Sequence, residues 1–537
     1  LVHVKLLGIN DFHGQLSAGR KVSNRPVGGA AVLASYLDAS QRGIEDHTLI
    51  VHAGDHVGAS PPASALLQDE PAIEFLNLLT NEHCSYELRM DPECNIVGTF
   101  GNHEFDEGRD ELLRLVRGGN HAKGPFLQKP WRGAKFPYIS ANVVAKEGGR
   151  SLVPPYAIKE VAGVRLGFIG LVLKETPSIV TPTGVAGLSF LDEAETANYY
   201  AKRLQKMGVG TIVLLIHQGA TQPSYTGPTA LFDAATAPGA AAMPKGPIVD
   251  IIAKLDPAID LVVSGHTHQF TNALVKNRAG NDVLVTQAFS YSTAFDDIDL
   301  AIERQSGKVV SKVARIVTTW ADEGPGLSAS PAIAKLVADA EKWVEPLVTQ
   351  VIGSSASEIT SSQNSAGESA LGDLIADSQR VAVGADFAFM NPGGIRANLD
   401  SGAITWGELF AIQPFGNTVV RLTVTGQDIY DLLEQQWTQA SPRVLQISGL
   451  EYTWKASNAV GSRVVEVRSK GSPIDKAADY SIAVNNFLAT GGDNFTVLTR
   501  GRNQVGGPVD LDALITYVQS LPQPISVTTQ SRIVRVE

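Results

Sequence analysis

Asp11 and His13 stand two residues apart at the end of the apolar run VHVKLLGIN, so on a strand both side chains share one face and can reach one ion. Four more segments of this kind follow. Gly54-Asp55 closes LIVHAGD, and Gly101-Asn102-His103-Glu104-Phe105-Asp106 sets an amide, an imidazole and a carboxylate within one turn of a strand end. His217 closes TIVLLIHQG, and Gly265-His266-Thr267-His268 follows the run LVVS. Each alone has an ordinary reading: an aspartate near a turn is solvated, and a histidine at the mouth of an apolar strand is often core. Together they are hard to explain that way, because five of the 11 histidines end successive strand runs. The chemistry such a set supports is a two-metal centre. A bridging carboxylate holds two divalent ions roughly 3.5–4 Å apart, which activate a water and neutralise a phosphoryl group. Mixed imidazole, carboxylate and amide donors suit zinc or manganese, with iron or cobalt next, rather than a magnesium site built from oxygens. His103, three residues before Asp106, can be held in one tautomer by that carboxylate and so act on a proton.

The elements that carry these residues read as strands alternating with helices. VHVKLLGIN, DHTLIVHAGD, NIVGTFGNHE, VRLGFIGLV, GTIVLLIHQG and DLVVSGHTH are short β-branched runs, each ending in a polar or glycine-containing turn. Helical patterns such as GGAAVLASYLDAS and LDEAETANYYAKRLQKMG lie between several of them, which predicts an α/β sheet with its polar tips at the strand ends. Residues 220–246 turn to Ala, Pro, Thr and Gly without periodicity and read as an inserted loop. Ser330-Pro331 is an N-cap followed by a proline suited to the first helical turn, and opens a helix-patterned stretch to about residue 351. Beyond it, strands such as TVVRLTVTG and DYSIAVNNFL begin a second α/β unit.

At 537 residues the chain exceeds what one core supports, so at least two domains are expected. The net charge of -11 excludes a surface tracking a nucleic-acid polymer, but not a small phosphorylated ligand held by a local cation. No apolar run is long enough to span a bilayer. Cys84 and Cys94 are the only cysteines, and read as a local disulfide or as two thiols.

On the motifs GNHEFD, GHTH, NPGGIR and NNFLATGGDNF, the chain resembles the 5′-nucleotidase family of bacterial periplasmic type. Residues 1–325 resemble a calcineurin-like metallophosphoesterase domain, residues 326–351 would form a connector helix, and residues 352–537 resemble the 5′-nucleotidase C-terminal domain. The resemblance implies an α/β fold: a four-layer α/β-β/α sandwich, the connector, and an α/β substrate-binding domain. It implies that Asp11, His13, Asp55 and His268 hold one ion, with Asp55 bridging to a second completed by Asn102, His217 and His266. His103, oriented by Asp106, would face the phosphoryl group rather than a metal. In the C-terminal part, Asn391, Gly393 and Arg396 would surround the phosphate, Phe415 and Phe487 would sandwich the base, and Asp493 would contact the ribose hydroxyls. Read on residues alone, NPGGIR is a glycine-rich turn delivering Arg396, with a solvated turn arginine as the alternative, and the two phenylalanines are core.

The implied reaction is attack of a metal-bridging hydroxide on a nucleoside 5′-monophosphate, at a site between the domains, in a mature periplasmic or secreted protein. The implied partner is a small nucleotide or nucleoside. One departure stands out: Ser365, Ala366 and Gly367 lie where many relatives carry further arginines, which weakens the phosphate clamp. Alternatives are a cyclic-nucleotide phosphodiesterase, a nucleotide-sugar or dinucleotide pyrophosphohydrolase, a relative acting on thiosulfate esters, and a non-catalytic nucleoside-binding surface protein. The paired phenylalanines speak against the thiosulfate reading, and the intact His103 and Asp106 against the non-catalytic one.

Overall fold

A computed structural model describes residues 1–222, 230–232, 243–439 and 441–537. The loop expected over 220–246 lies largely outside them. The chain divides into two compact units, Leu1–Pro177 with Thr183–Trp343, and Ser178–Pro182 with Val344–Glu537.

All six β-branched runs of the first unit are strands: β1 (Val2–Ile9), β2 (Thr48–His52), β3 (Ile96–Thr99), β4 (Val164–Val172), β5 (Thr211–His217) and β6 (Ile259–Ser264). β1, β2 and β3 are parallel neighbours in a seven-stranded sheet, and β4, β5 and β6 are parallel neighbours in a six-stranded sheet. The two sheets share one core. Val4, Leu6, Leu49, Val51 and Val97 from the first meet Leu166, Phe168, Val213, Leu215, Leu261 and Val263 from the second. Helix Glu193–Lys206 and helix Pro247–Ile252 cover the outer face of the second sheet through Ala197, Ala201, Leu204, Ile248 and Ile252. Helix Ala30–Gln41 covers the outer face of the first, where Tyr36 meets Phe295. The result is the four-layer sandwich. Strands buried on both faces explain why these runs read as continuously apolar rather than alternating.

Because β1, β2 and β3 run parallel in one sheet and β4, β5 and β6 in the other, their C-terminal ends collect at one edge of each, and the polar tips collect with them. Cys84 and Cys94 are joined by a disulfide. Closing so short a loop contributes roughly 3 kcal/mol by restricting the unfolded chain.

Helix Pro331–Val348 opens at the expected proline. In the second unit a five-stranded mixed sheet runs in the order Gln446–Ser448, Phe387–Met390, Asp479–Asn485, Thr418–Thr425, Arg502–Val509. Helix Ala370–Val383 is capped at its start by the Ser369 side chain on the Gly372 amide and stopped by Gly384 in the left-handed region. No helix among the described residues is long and apolar enough to cross a membrane.

Candidate metal centre

The tips of β1, β2, β5 and β6 bring two donor clusters together: Asp11, His13 and His268 in one, Asp55, His217 and His266 in the other. Backbone hydrogen bonds lock the loops that carry them, from the Asp11 amide to the Gly54 carbonyl (3.1 Å) and from His13 to the Asp55 carbonyl (2.9 Å). The loops after β2 and β3 approach closely only because they contain glycine. A Cβ on Gly54 would lie 2.4 Å from the Gly101 nitrogen, and one on Gly101 would lie 2.1 Å from Asp55 Oδ1.

Five of the six clustered residues adopt left-handed backbone: Asp11 (φ 48°), His13 (48°), Asp55 (47°), His266 (79°) and His268 (55°). Such a conformation costs about 1 kcal/mol or more per non-glycine residue, and its concentration at one point marks a site held for function.

The tautomers follow from the partners. Nδ1–H of His13 donates to the Gly58 carbonyl and Nδ1–H of His217 to the Ala53 carbonyl, both at 2.8 Å, so each ring turns its Nε2 inward. There His13 Nε2 lies 3.1 Å from His268 Nε2, His268 Nε2 lies 3.3 Å from Asp11 Oδ1, and His217 Nε2 lies 2.9 Å from Asp55 Oδ2. Asp55 Oδ2 is also 3.7 Å from His13 Nε2, so this one carboxylate faces both clusters. Atoms sharing an ion at 2.0–2.2 Å lie roughly 3.0–3.5 Å from one another. The donor set therefore fits two divalent cations, with Asp55 between them. Asn102 joins the second cluster, its Oδ1 3.0 Å from His266 Nδ1.

Charge agrees with geometry. Burial pushes the Asp55 carboxyl upward, but the charges of His217 and His103 overcome it and hold the group well below the usual range. Burial works against protonation of His217, yet Asp55 and Asp11 raise it to about 9. His266 is lowered to about 3, by burial first and by His217 second. Two buried carboxylates, Asp11 and Asp55, thus lie among imidazoles that compensate their charge, a place a cation can take.

His103 stands apart from the donor clusters. Its Nδ1–H donates to Asp106 Oδ2 at 2.7 Å, and its backbone N–H donates to Asp55 Oδ1 at 2.8 Å.

Glu104 was given no role by the sequence, although GNHEFD contains it. It is buried, and its carboxylate accepts backbone N–H groups from Asp55 (3.0 Å), His56 (2.7 Å) and Gly101, tying together the loops after β2 and β3. Burial, and then the Asp55 charge, raise its pKa to about 7. Replacement by alanine would strand three buried donors at roughly 1–3 kcal/mol each. Thermal unfolding of Glu104→Ala should therefore begin at least about 5 °C lower. An unchanged midpoint would mean that the clamp is redundant.

In the second unit, Asn391, Gly393 and Asp493 come together: Asn391 Nδ2 donates to Asp493 Oδ2 at 3.0 Å, and a Cβ on Gly393 would face both. Phe487 is half-buried against the core and against Gly492, next to Asp493. Phe415 is half-buried with the Arg396 guanidinium 5.9 Å from its ring centre. Sequence reasoning missed Arg443, paired with Asp493, and Asn485, which donates to Asn391 Oδ1 at 2.9 Å.

Residues 4–270 match the calcineurin-like phosphoesterase family, and residues 349–500 match the 5′-nucleotidase C-terminal domain. The chain therefore belongs to the calcineurin-like metallophosphoesterases that carry a 5′-nucleotidase C-terminal domain. Over 546 residues it is 36% identical to the endonuclease YhcR of Bacillus subtilis, covering 99% of this chain and 41% of that protein. Over 561 residues it is 34% identical to the cell wall protein Lmo0130 of Listeria monocytogenes, covering 96% of this chain and 67% of that one. The solved structure of a 5′-nucleotidase precursor from Thermus thermophilus superposes with a TM-score of 0.79 at 28% identity, covering 99% of both chains.

Proposed function

We propose that this protein hydrolyses nucleoside 5′-monophosphates to nucleoside and phosphate. The observation that carries the reading is Asp55 facing two histidine-rich donor clusters, with His103 and its Asp106 partner beside them. Asp11, His13, Asp55 and His268 would hold one divalent ion, and Asp55, Asn102, His217 and His266 would hold the other. Zinc or manganese suits these donors first, iron or cobalt next. When bound, the ions lower the pKa of water into the neutral range and offset the charge of the phosphoryl oxygens.

The remaining work belongs to side chains. Asp106 accepts the Nδ1–H of His103, and it is the doubly protonated ring that turns its Nε2–H to the phosphoryl group, stabilises charge there and passes that proton to the leaving oxygen. Asn391, Gly393 and Arg396 contact the phosphate, Phe415 and Phe487 stack on the base, and Asp493 meets the sugar. A base has a π-face whatever its identity, so broad base specificity follows. The disulfide and the similarity to a cell wall protein support a periplasmic or secreted location.

Stacking contributes about 1–3 kcal/mol per base. Phe415→Ala and Phe487→Ala should each lower kcat/KM for a nucleoside monophosphate by roughly ten- to hundredfold relative to a base-free aryl phosphate. Equal losses on both substrates would make the two phenylalanines core residues.

A further inference from the structure

We infer that Arg443 makes the sugar side of the substrate site an anion-accepting subsite, which takes nucleotides bearing a second phosphate on the ribose 2′ or 3′ oxygen. The inference rests on the nucleotide reading above, in which Asp493 meets the sugar.

Asp493 is only 6% exposed, and both of its carboxylate oxygens are already engaged. Oδ1 pairs with Arg443 Nη1, Oδ2 accepts from Asn391, and the main-chain carbonyl accepts from Gln439 Nε2 at 2.6 Å. Left-handed backbone at Asp493 (φ 55°) and Asn494 (61°) presents the carboxylate to these partners. A lone carboxylate at a sugar edge repels any phosphate carried there; a compensated one does not.

Arg443 offers more than compensation. A guanidinium carries five N–H donors in a rigid plane. Among the described residues only Nη1 meets a protein acceptor, so the Nε and Nη2 donors remain for a ligand. The side chain is 27% exposed, enough to be reached and little enough to be held. Its segment is anchored from both sides: the Arg443 amide donates to the Gln436 carbonyl at 2.9 Å, and the Leu445 amide donates to Gln436 Oε1 at 2.6 Å. Phe487, the proposed base platform, lies one residue away from Asp493 through Gly492. A planar fork with free donors beside a sugar-facing carboxylate matches the geometry of a phosphate.

The test compares kcat/KM for a nucleoside 3′,5′-bisphosphate and for the matching 5′-monophosphate, read as their ratio within each protein. The native ratio should lie within about threefold of one. In Arg443→Gln the ratio should fall at least tenfold, and in Arg443→Lys, which keeps the charge without the fork, by less. The lysine variant also serves if the glutamine variant folds poorly. If the ratio is unchanged in both variants, or if the native protein rejects the bisphosphate while hydrolysing the monophosphate, Arg443 only holds Asp493 and the inference falls, although the nucleotidase reading stands. A native protein that turns over no nucleotide overturns that reading and the inference together.

Discussion

Replacing His103 with alanine is expected to lower kcat by roughly 10²–10⁴ while leaving the metal content of the protein intact, the usual worth of a positioned acid–base group. The two halves of this expectation have separate causes. The backbone N–H of His103 donates to Asp55 Oδ1, and alanine keeps that contact, so the Asp55 carboxylate stays oriented. The lost group is the imidazole, which Asp106 holds with Nδ1 protonated and which belongs to neither donor cluster. Phosphate release and metal analysis on one preparation separate the two effects. If the variant loses ions, His103 is a ligand, and the roles given to it and to Asn102 are wrong.

Asp55→Asn should reduce turnover at least as far. Asp55 is the carboxylate that faces both clusters, 2.9 Å from His217 Nε2 and 3.7 Å from His13 Nε2. An amide has the same shape but carries no charge, so it would offset far less of the charge of two cations. Its neighbours also lose their compensation: Asp55 is the first of the charges that favour protonation of His217, and in the variant that imidazole should titrate at lower pH. Turnover near that of native protein would exclude a bridging role.

The strands were legible because each is a short β-branched run stopped by glycine or a polar turn, and because Asp11, Asp55, Asn102 and His217 have no packing reason to end such runs. That the strands divide into two stacked sheets was not legible in this way. Strands buried on both faces lose the alternation that would reveal a second sheet, and only the resemblance supplied the layers. Within the site, the residue types could be read but their backbone could not. Left-handed φ at Asp11, His13, Asp55, His266 and His268 leaves no trace in sequences that lack glycine at those positions. Glu104 read as part of a motif without a task, because its partners are main-chain amides that have no residue identity. Arg443 carried no signal, because the carboxylate that gives it meaning lies 50 residues further along the chain.

The most direct test of the account is the number of transition-metal equivalents bound per chain in native protein and in Asp55→Asn, by elemental analysis after exhaustive dialysis. Two equivalents in the native protein, and one or none in the variant, are the predicted result. One equivalent in the native protein, or two retained in the variant, would contradict a centre in which Asp55 joins two ions.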